Sequence, residues 1–375
     1  MVNRQKPLIG LDARMSDHPG IGRYIRELCR ALLEVNKNGQ PFCFLGDSKI
    51  YDRLGLSAYA SKTQTRETKS EIYSLGEQVE IPLKARGFSL LHVPHFNIPI
   101  FYSGRLVVTV HDLIYLHETG AAKNKAASLM TRFYLKQVCK KAAAILTVSE
   151  YTKNDLLNSF PGLSPERVHV TYEAASGAFW PLDKSDPVLA AASQKFSLKK
   201  PMILYVGALR PHKNVTTLIQ AVENLNATKQ TEAMLVLAGK SGTWDATLLR
   251  KIQASPFINY LGAVSDEELR ALYNLADVFV FPSLREGFGL PVLEAMACGT
   301  PVISSNRSSL PEIVGDAGLL FDPTRVDALE ELLYNVLKNN ELQNKMRANG
   351  IEQAKKFSWA NTASRTEEVY DKVLG

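Results

Sequence analysis

Short apolar runs alternate along this chain with longer stretches in which apolar residues recur at helical spacing. Residues 8–11, 42–45, 90–93 and 106–110 are mainly apolar and bounded by turn formers, the pattern of strands covered on both faces. After the first of them, Pro19-Gly-Ile-Gly-Arg-Tyr opens an amphipathic helix that runs through Leu33. Residues 59–74 are polar and without a clear period, and read as loop. Residues 168–172 form the last strand of this series. The following Glu-Ala-Ala-Ser-Gly-Ala-Phe-Trp-Pro-Leu-Asp-Lys-Ser-Asp-Pro is turn-rich and aperiodic, as a linker is. The pattern then restarts, with strands at 201–206, 233–238, 258–261, 277–281 and 301–304, a turn at Leu310-Pro-Glu and a charged tail of helices. Strands alternating with helices predict an α/β fold with a parallel sheet in each half. The domains are expected at 1–178 and 179–357, followed by a final helix over 358–375.

The most informative stretch is Ser-Leu-Arg-Glu-Gly-Phe-Gly-Leu-Pro-Val-Leu-Glu-Ala-Met-Ala-Cys-Gly-Thr-Pro-Val, residues 283–302. Pro282 ends a buried strand, and a loop carries Glu286, Gly287 and Gly289. Pro291 suits the first position of a helix over 292–298, closed by Gly299. Phe288, Gly289 and Leu290 then present amides at a positive helix end, where a phosphate is held. Glu286 and Glu294 can accept hydrogen bonds from sugar hydroxyls at the same mouth.

A second strand exit, Gly207-Ala-Leu-Arg-Pro-His-Lys-Asn214, leads into a helix over 215–225 and places Lys213 where a cation pairs with a diphosphate. Gly20-Ile-Gly22 is part of a dinucleotide fingerprint, but Ile25 stands where a third small residue belongs, which is weak support for NAD. The two glycines equally suit a tight turn. His111 ends the strand over 106–110, at the edge where open α/β sheets bind ligands. Helix capping by Ser265 or Asp266 is expected just after Val264.

The chain of 375 residues carries a formal net charge of +6. This moderate excess suits an anionic ligand or membrane surface and does not indicate nucleic acid. Cys29, Cys43, Cys139 and Cys298 lack metal or redox spacing and read as reduced thiols of a cytoplasmic protein. No signal peptide or membrane span is expected, so membrane contact would be peripheral. Between Ala121 and Thr147 there are six Lys and Arg residues and no acid. Lys125, Arg132, Lys136 and Lys140 fall on one side of a helix, opposite Met130, Tyr134 and Val138. Such a basic helix near 123–141 can lie on anionic lipid or simply be a solvated face. No D-x-D pair is present to clamp a metal on a diphosphate, and no metal ligand cluster is evident.

The block from Glu286 through Glu294 to Val302 closely resembles the signature of the retaining glycosyltransferases of family 4 (group 1), which have the GT-B fold. The resemblance implies two Rossmann-like domains facing each other across a cleft, the first holding the acceptor and the second the nucleotide sugar. It also implies that the final helix packs back on the first domain. It places Glu294 on the nucleotide ribose and Glu286 and His111 by the donor sugar. Gly22 would lie near the diphosphate or the acceptor, and Val264 would meet the base through its backbone. Lys213 matches the lysine of the family's phosphate loop. Ala208 departs from the arginine that many members carry, so Arg210 or His212 would supply that charge. The implied reaction is hexosyl transfer with retention, without metal or other cofactor, from a GDP- or UDP-linked sugar to a saccharide or lipid-linked acceptor. The 19–24 and 110–115 stretches look most like members that transfer mannose from GDP-mannose in polysaccharide or O-antigen assembly. Such an enzyme would work in the cytoplasm, at the inner face of the membrane. A nucleotide-sugar 2-epimerase or phosphorylase of similar build, or a non-catalytic nucleotide-sugar-binding subunit, stays open as an alternative.

Overall fold

The computed structural model describes residues 6–18, 20–36, 39–117, 125–240 and 246–375, so Pro19 and Lys123 lie outside the described residues. The chain divides into two compact units, Met1–Glu173 with Ser358–Gly375, and Ala174–Phe357.

The first unit holds β1 (Ile9–Asp12), β2 (Phe42–Gly46), β3 (Gln64–Glu67), β4 (Leu90–Val93), β5 (Leu106–Val110), β6 (Ala144–Thr147) and β7 (Val168–Val170). They form one sheet in the order β3-β2-β1-β4-β5-β6-β7, and every pairing is parallel. The second unit holds β8 (Met202–Val206), β9 (Met234–Ala238), β10 (Ile258–Gly262), β11 (Val278–Phe281), β12 (Val302–Ser305) and β13 (Leu319–Phe321). Their order is β10-β9-β8-β11-β12-β13, again parallel throughout. Both units are therefore Rossmann-like, with strand order reversing between β1 and β4 and between β8 and β11.

The central strands are apolar because helices cover both faces: Leu91, Val108, Leu204, Val236, Val280 and Ile303 are all fully buried. β3 corrects the loop expected over 59–74. It is a polar edge strand, Gln-Thr-Arg-Glu, paired only with β2 and exposed on both faces, so no apolar run marks it. A short helix, Leu310–Val314, replaces the expected turn at Leu310. The helix Lys125–Lys141 buries Tyr134 and Val138 as expected, but Met130 is exposed. In the first unit the last helix, Trp359–Leu374, sets Trp359 edge-on to Tyr24 and bonds Tyr370 to His92. Among the described residues no helix is long and apolar enough to cross a membrane.

Candidate functional site

β8 and β11 are neighbours, and their outgoing chains turn to opposite sides of the sheet, so a crevice opens at their carboxyl ends. The β8 exit makes a single turn of 3-10 helix, Pro211–Lys213, and Asn214 follows in the left-handed conformation (φ 54°, ψ 35°) at the start of the helix Val215–Lys229. Asparagine tolerates this backbone better than most residues. Its Nδ2 donates to the carbonyls of Pro282 (3.2 Å) and Pro323 (2.8 Å), and the Leu284 amide donates to the His212 carbonyl (2.7 Å). The loops after β8, β11 and β13 are thus tied together by the Asn214 side-chain amide and one backbone hydrogen bond.

This bracing brings Lys213 to Glu286. The ammonium donates to both carboxylate oxygens, at 2.7 and 2.8 Å, and lies 5.2 Å from the centre of the Phe281 ring. The Glu286 loop rests on two serines. The Glu286 amide donates to Ser308 Oγ (2.9 Å), and Ser309 Oγ donates to the Phe288 carbonyl (2.7 Å) and lies 3.2 Å from the Glu286 carbonyl.

Directly after this loop the helix Leu290–Ala297 begins. It starts earlier than the sequence suggests, so Pro291 takes its second position, where an amide would also lack an intrahelical acceptor. Gly289 adopts φ 114°, a region that other residues avoid, and an added Cβ would lie 2.7 Å from Leu310 Cδ2. Phe288 turns its ring into the core, edge-on to Phe357, so only its backbone is available to a ligand. Glu294, 3% exposed, accepts a hydrogen bond from the buried Tyr273 hydroxyl at 3.0 Å. Arg210 is exposed beside the Lys213 turn, and Val264 is half-buried beyond the end of β10. There Ser265 caps the next helix in a capping box with Glu268. Burial pushes the His212 pKa down to about 4, with Lys213 and Arg210 adding to the effect against Glu286. His212 is therefore neutral at pH 7 beside the exposed Arg210.

The other two expected residues lie in the first unit. His111 follows β5, and its Nε2–H donates to the Pro94 carbonyl (2.9 Å) while Nδ1 faces Glu173 Oε1 at 3.2 Å. Burial opposes charge on the ring. Glu173 and the Pro94 carbonyl outweigh it, so the His111 pKa is raised. Tyr24 packs edge-on to this ring at 4.7 Å. The Tyr24 hydroxyl begins a buried polar chain through Thr109 (3.1 Å) and His92 (2.8 Å) to Tyr370 (2.6 Å). Gly22 is buried in the helix Ile21–Val35, and a Cβ there would sit 2.3 Å from the Ser16 carbonyl oxygen. It serves a close backbone contact of the β1 exit loop.

Lys213, Glu286, Phe288, Gly289, Leu290 and Glu294 are therefore brought to one loop-and-helix edge of the second sheet. Asn214, Ser308, Ser309 and Glu173 were not anticipated. Asn214 had a signal, an asparagine just before a helix; the serines and Glu173 are joined to the site only by the fold. Among the described residues no three His, Cys, Asp or Glu side chains converge to hold a metal.

Residues 190–353 match the family described as Glycosyl transferases group 1, and residues 19–174 match Glycosyltransferase Family 4. The O-antigen chain mannosyltransferase B of Escherichia coli is 33% identical, with 94% of this chain and 95% of that protein covered. The MMP alpha-(1->4)-mannosyltransferase of Mycolicibacterium hassiacum is 32% identical over 77% of this chain and 69% of its own length. Among solved structures, Anabaena HepE in complex with UDP and glucose superposes with a TM-score of 0.76 at 15% identity, covering 98% of this chain and 100% of that one. Two Rossmann-like units, a Lys213–Glu286 pair at the second switch point and these relatives agree, and the chain belongs to glycosyltransferase family 4, the group 1 glycosyltransferases of GT-B fold.

Proposed function

We propose that this chain is a retaining, metal-independent hexosyltransferase. It moves mannose, with GDP-mannose the favoured donor, to a saccharide or lipid-linked saccharide in polysaccharide or O-antigen assembly. The observation that carries this reading is Lys213 on both oxygens of Glu286 beside the first amides of the helix Leu290–Ala297. The choice of mannose is supported by the names of the relatives. The basic helix Lys125–Lys141 would bring a cytoplasmic enzyme to a lipid-linked acceptor at the inner face of the membrane.

Without ligand, Lys213 neutralises Glu286. A donor diphosphate, with more negative charge, draws the ammonium away and leaves the Glu286 carboxylate to accept from hydroxyls of the donor sugar. Glu294 serves the ribose, Arg210 adds charge at the diphosphate, the backbone near Val264 meets the base, and His111 serves the transferred sugar. In the reaction the bond from the anomeric carbon to the diphosphate oxygen breaks. A bond to the acceptor oxygen forms on the same face, and the acceptor's proton passes to the leaving phosphate. Lys213 and the Gly289 and Leu290 amides stabilise the charge that develops on the leaving group, and such preorganised donors are commonly the largest catalytic contribution.

Thermal stabilisation by GDP, UDP, ADP and their sugar conjugates, measured in chelator, tests this reading. A ligand at a hundred times its dissociation constant adds about 2.7 kcal/mol. One nucleotide should stabilise the wild type and not Lys213→Ala. Glu286→Gln should keep that stabilisation while transfer falls roughly a hundredfold or more, as for loss of one oriented polar group at the reacting centre. Equal stabilisation of wild type and Lys213→Ala would overturn the assignment, and loss of activity in chelator would overturn metal independence.

A further inference from the structure

The helix Glu77–Lys84 buries two polar residues beside Ile81 and leaves apolar ones outside. Glu77, fully buried, meets Arg14 at 3.1 Å, and the buried Gln78 Oε1 accepts from the Ile100 amide at 2.6 Å. Ile81 shares this inner face as part of the core, while other apolar residues line the outward face. Leu75, just before the helix, is 89% exposed, and Val79 and Leu83, each four residues further on, are 58% and 49% exposed. Residues four apart form one row on a helix, so this is a continuous apolar ridge.

The ridge continues into neighbouring elements. Phe101, 72% exposed, shares a surface cavity with Leu83 and Arg86. Lys141, at the end of the helix Lys125–Lys141, reaches the Ile100 and Tyr102 carbonyls on either side of Phe101. Further along that helix the Tyr134 ring lies 5.6 Å from Tyr73, next to the start of the ridge, and the same helix exposes Leu129 and Phe133. Clustered exposed apolar side chains on this scale mark an interaction surface.

The charge of the segment identifies the partner. Residues 75–149, which span the whole face, contain nine Lys and Arg against four acids, Glu77, Glu80, Asp112 and Glu118, and so hold most of the +6 of the chain. Arg86, Arg132 and Lys136 are exposed around the apolar residues. A surface that offers apolar side chains ringed by cations matches a lipid leaflet with anionic headgroups: the side chains enter the acyl boundary and the cations meet the phosphates. We propose that the ridge Leu75, Val79, Leu83 and Phe101, together with Leu129 and Phe133, is a membrane-docking face. Docking extends well beyond the basic helix, which supplies charge while the Glu77–Lys84 ridge supplies the apolar insertion. The inference deepens the reading of a lipid-linked acceptor given above, but vesicle binding is measured without donor or acceptor, so either can fail alone.

The full chain is spun with vesicles of phosphatidylglycerol in phosphatidylcholine and with pure phosphatidylcholine. The expected result is pelleting on the anionic vesicles, at least tenfold stronger than on the neutral ones, since each well-placed cation contributes about fivefold. Leu75→Glu/Leu83→Glu/Phe101→Glu should lose this binding while keeping its melting temperature and its transfer to a soluble acceptor. The matching alanine triple should bind at low salt and detach in 0.5 M salt sooner than wild type. Lys338→Gln/Lys345→Gln/Lys355→Gln, an equal loss of charge in the second unit, should bind as wild type. Undiminished binding by the glutamate triple overturns the proposal. So does a wild type that ignores the vesicles and instead forms dimers lost in that triple.

Discussion

Each sheet has a cation at the edge where its strand order reverses, and the two cations are committed differently. In the first unit Arg14, two residues after β1, is gripped by Asp12 (2.7 Å) and Glu77 (3.1 Å), with all three side chains 6% exposed or less. Burial opposes the charge on Arg14, but the two carboxylates prevail and raise its pKa. In the second unit Lys213 has one carboxylate partner, and its side chain is 18% exposed. One edge is closed on itself by a satisfied triad. The other holds an ion pair that an incoming anion can divide. The first edge is thus a structural brace, and the proposed function makes the second, with one fixed counter-charge fewer, a ligand site.

The largest effect that tests this contrast is on Arg14. Arg14→Ala leaves Asp12 and Glu77 buried without their cation and should cost about 3–5 kcal/mol of unfolding free energy. Lys213→Ala leaves Glu286 nearer solvent and should cost about 1–2 kcal/mol. Denaturant melts of both variants check this. If Lys213→Ala is as destabilising as Arg14→Ala, the second pair is a brace as well, and the contrast fails.

How far this was legible depends on where the information sits. Strands buried on both faces announce themselves as apolar runs, and β4 and β5 fall where the pattern puts them. β3 does not, because an exposed edge strand needs no apolar residue. Lys213, Glu286 and Glu294 could be singled out because glycines and prolines punctuate their loops within a few residues of each. Glu173 could not be joined to His111, 62 residues away, since that pairing follows from the β5-β6-β7 order. The helix Glu77–Lys84 was equally opaque: the burial of Glu77 and Gln78 beside Ile81 follows from the Arg14 and Ile100 contacts, which the fold alone brings to it.

The glycines sharpen the comparison at a smaller scale. Gly22→Ala drives a Cβ into the Ser16 carbonyl, a backbone atom that cannot rotate away. Gly289→Ala meets only the tip of Leu310 but must adopt φ 114°. Each should cost about 1–3 kcal/mol, by crowding in the first case and backbone strain in the second. Only Gly289→Ala should also weaken nucleotide-induced stabilisation, because only that glycine sets the direction of the helix-start amides. A Gly22→Ala variant that loses nucleotide stabilisation to the same degree would put the first unit's glycine at the donor after all.

The smallest expected effect separates the histidines by the sign of their pH dependence. Burial lowers the pKa of His92 and His95 to about 3, with His111 adding to it, and that of His212 to about 4. Below the ordinary value of 6.5 the unfolded chain therefore binds more protons at these sites, and stability should rise with pH up to that point. His111 works in the opposite direction. Its pKa is raised in the fold by Glu173 and Pro94, with Asp112 contributing, so its stabilisation is complete below 6.5 and is lost as pH rises through the folded value. One proton limits this slope to about 1.4 kcal/mol per pH unit. Melts between pH 6.5 and 8 should show a decline in the wild type that is absent in Glu173→Gln, while the rise below pH 6.5 remains in both. A decline of equal slope in Glu173→Gln would mean that His111 is neutral in the fold. Its Nδ1 would then be an acceptor, available to a sugar hydroxyl without first breaking an ion pair.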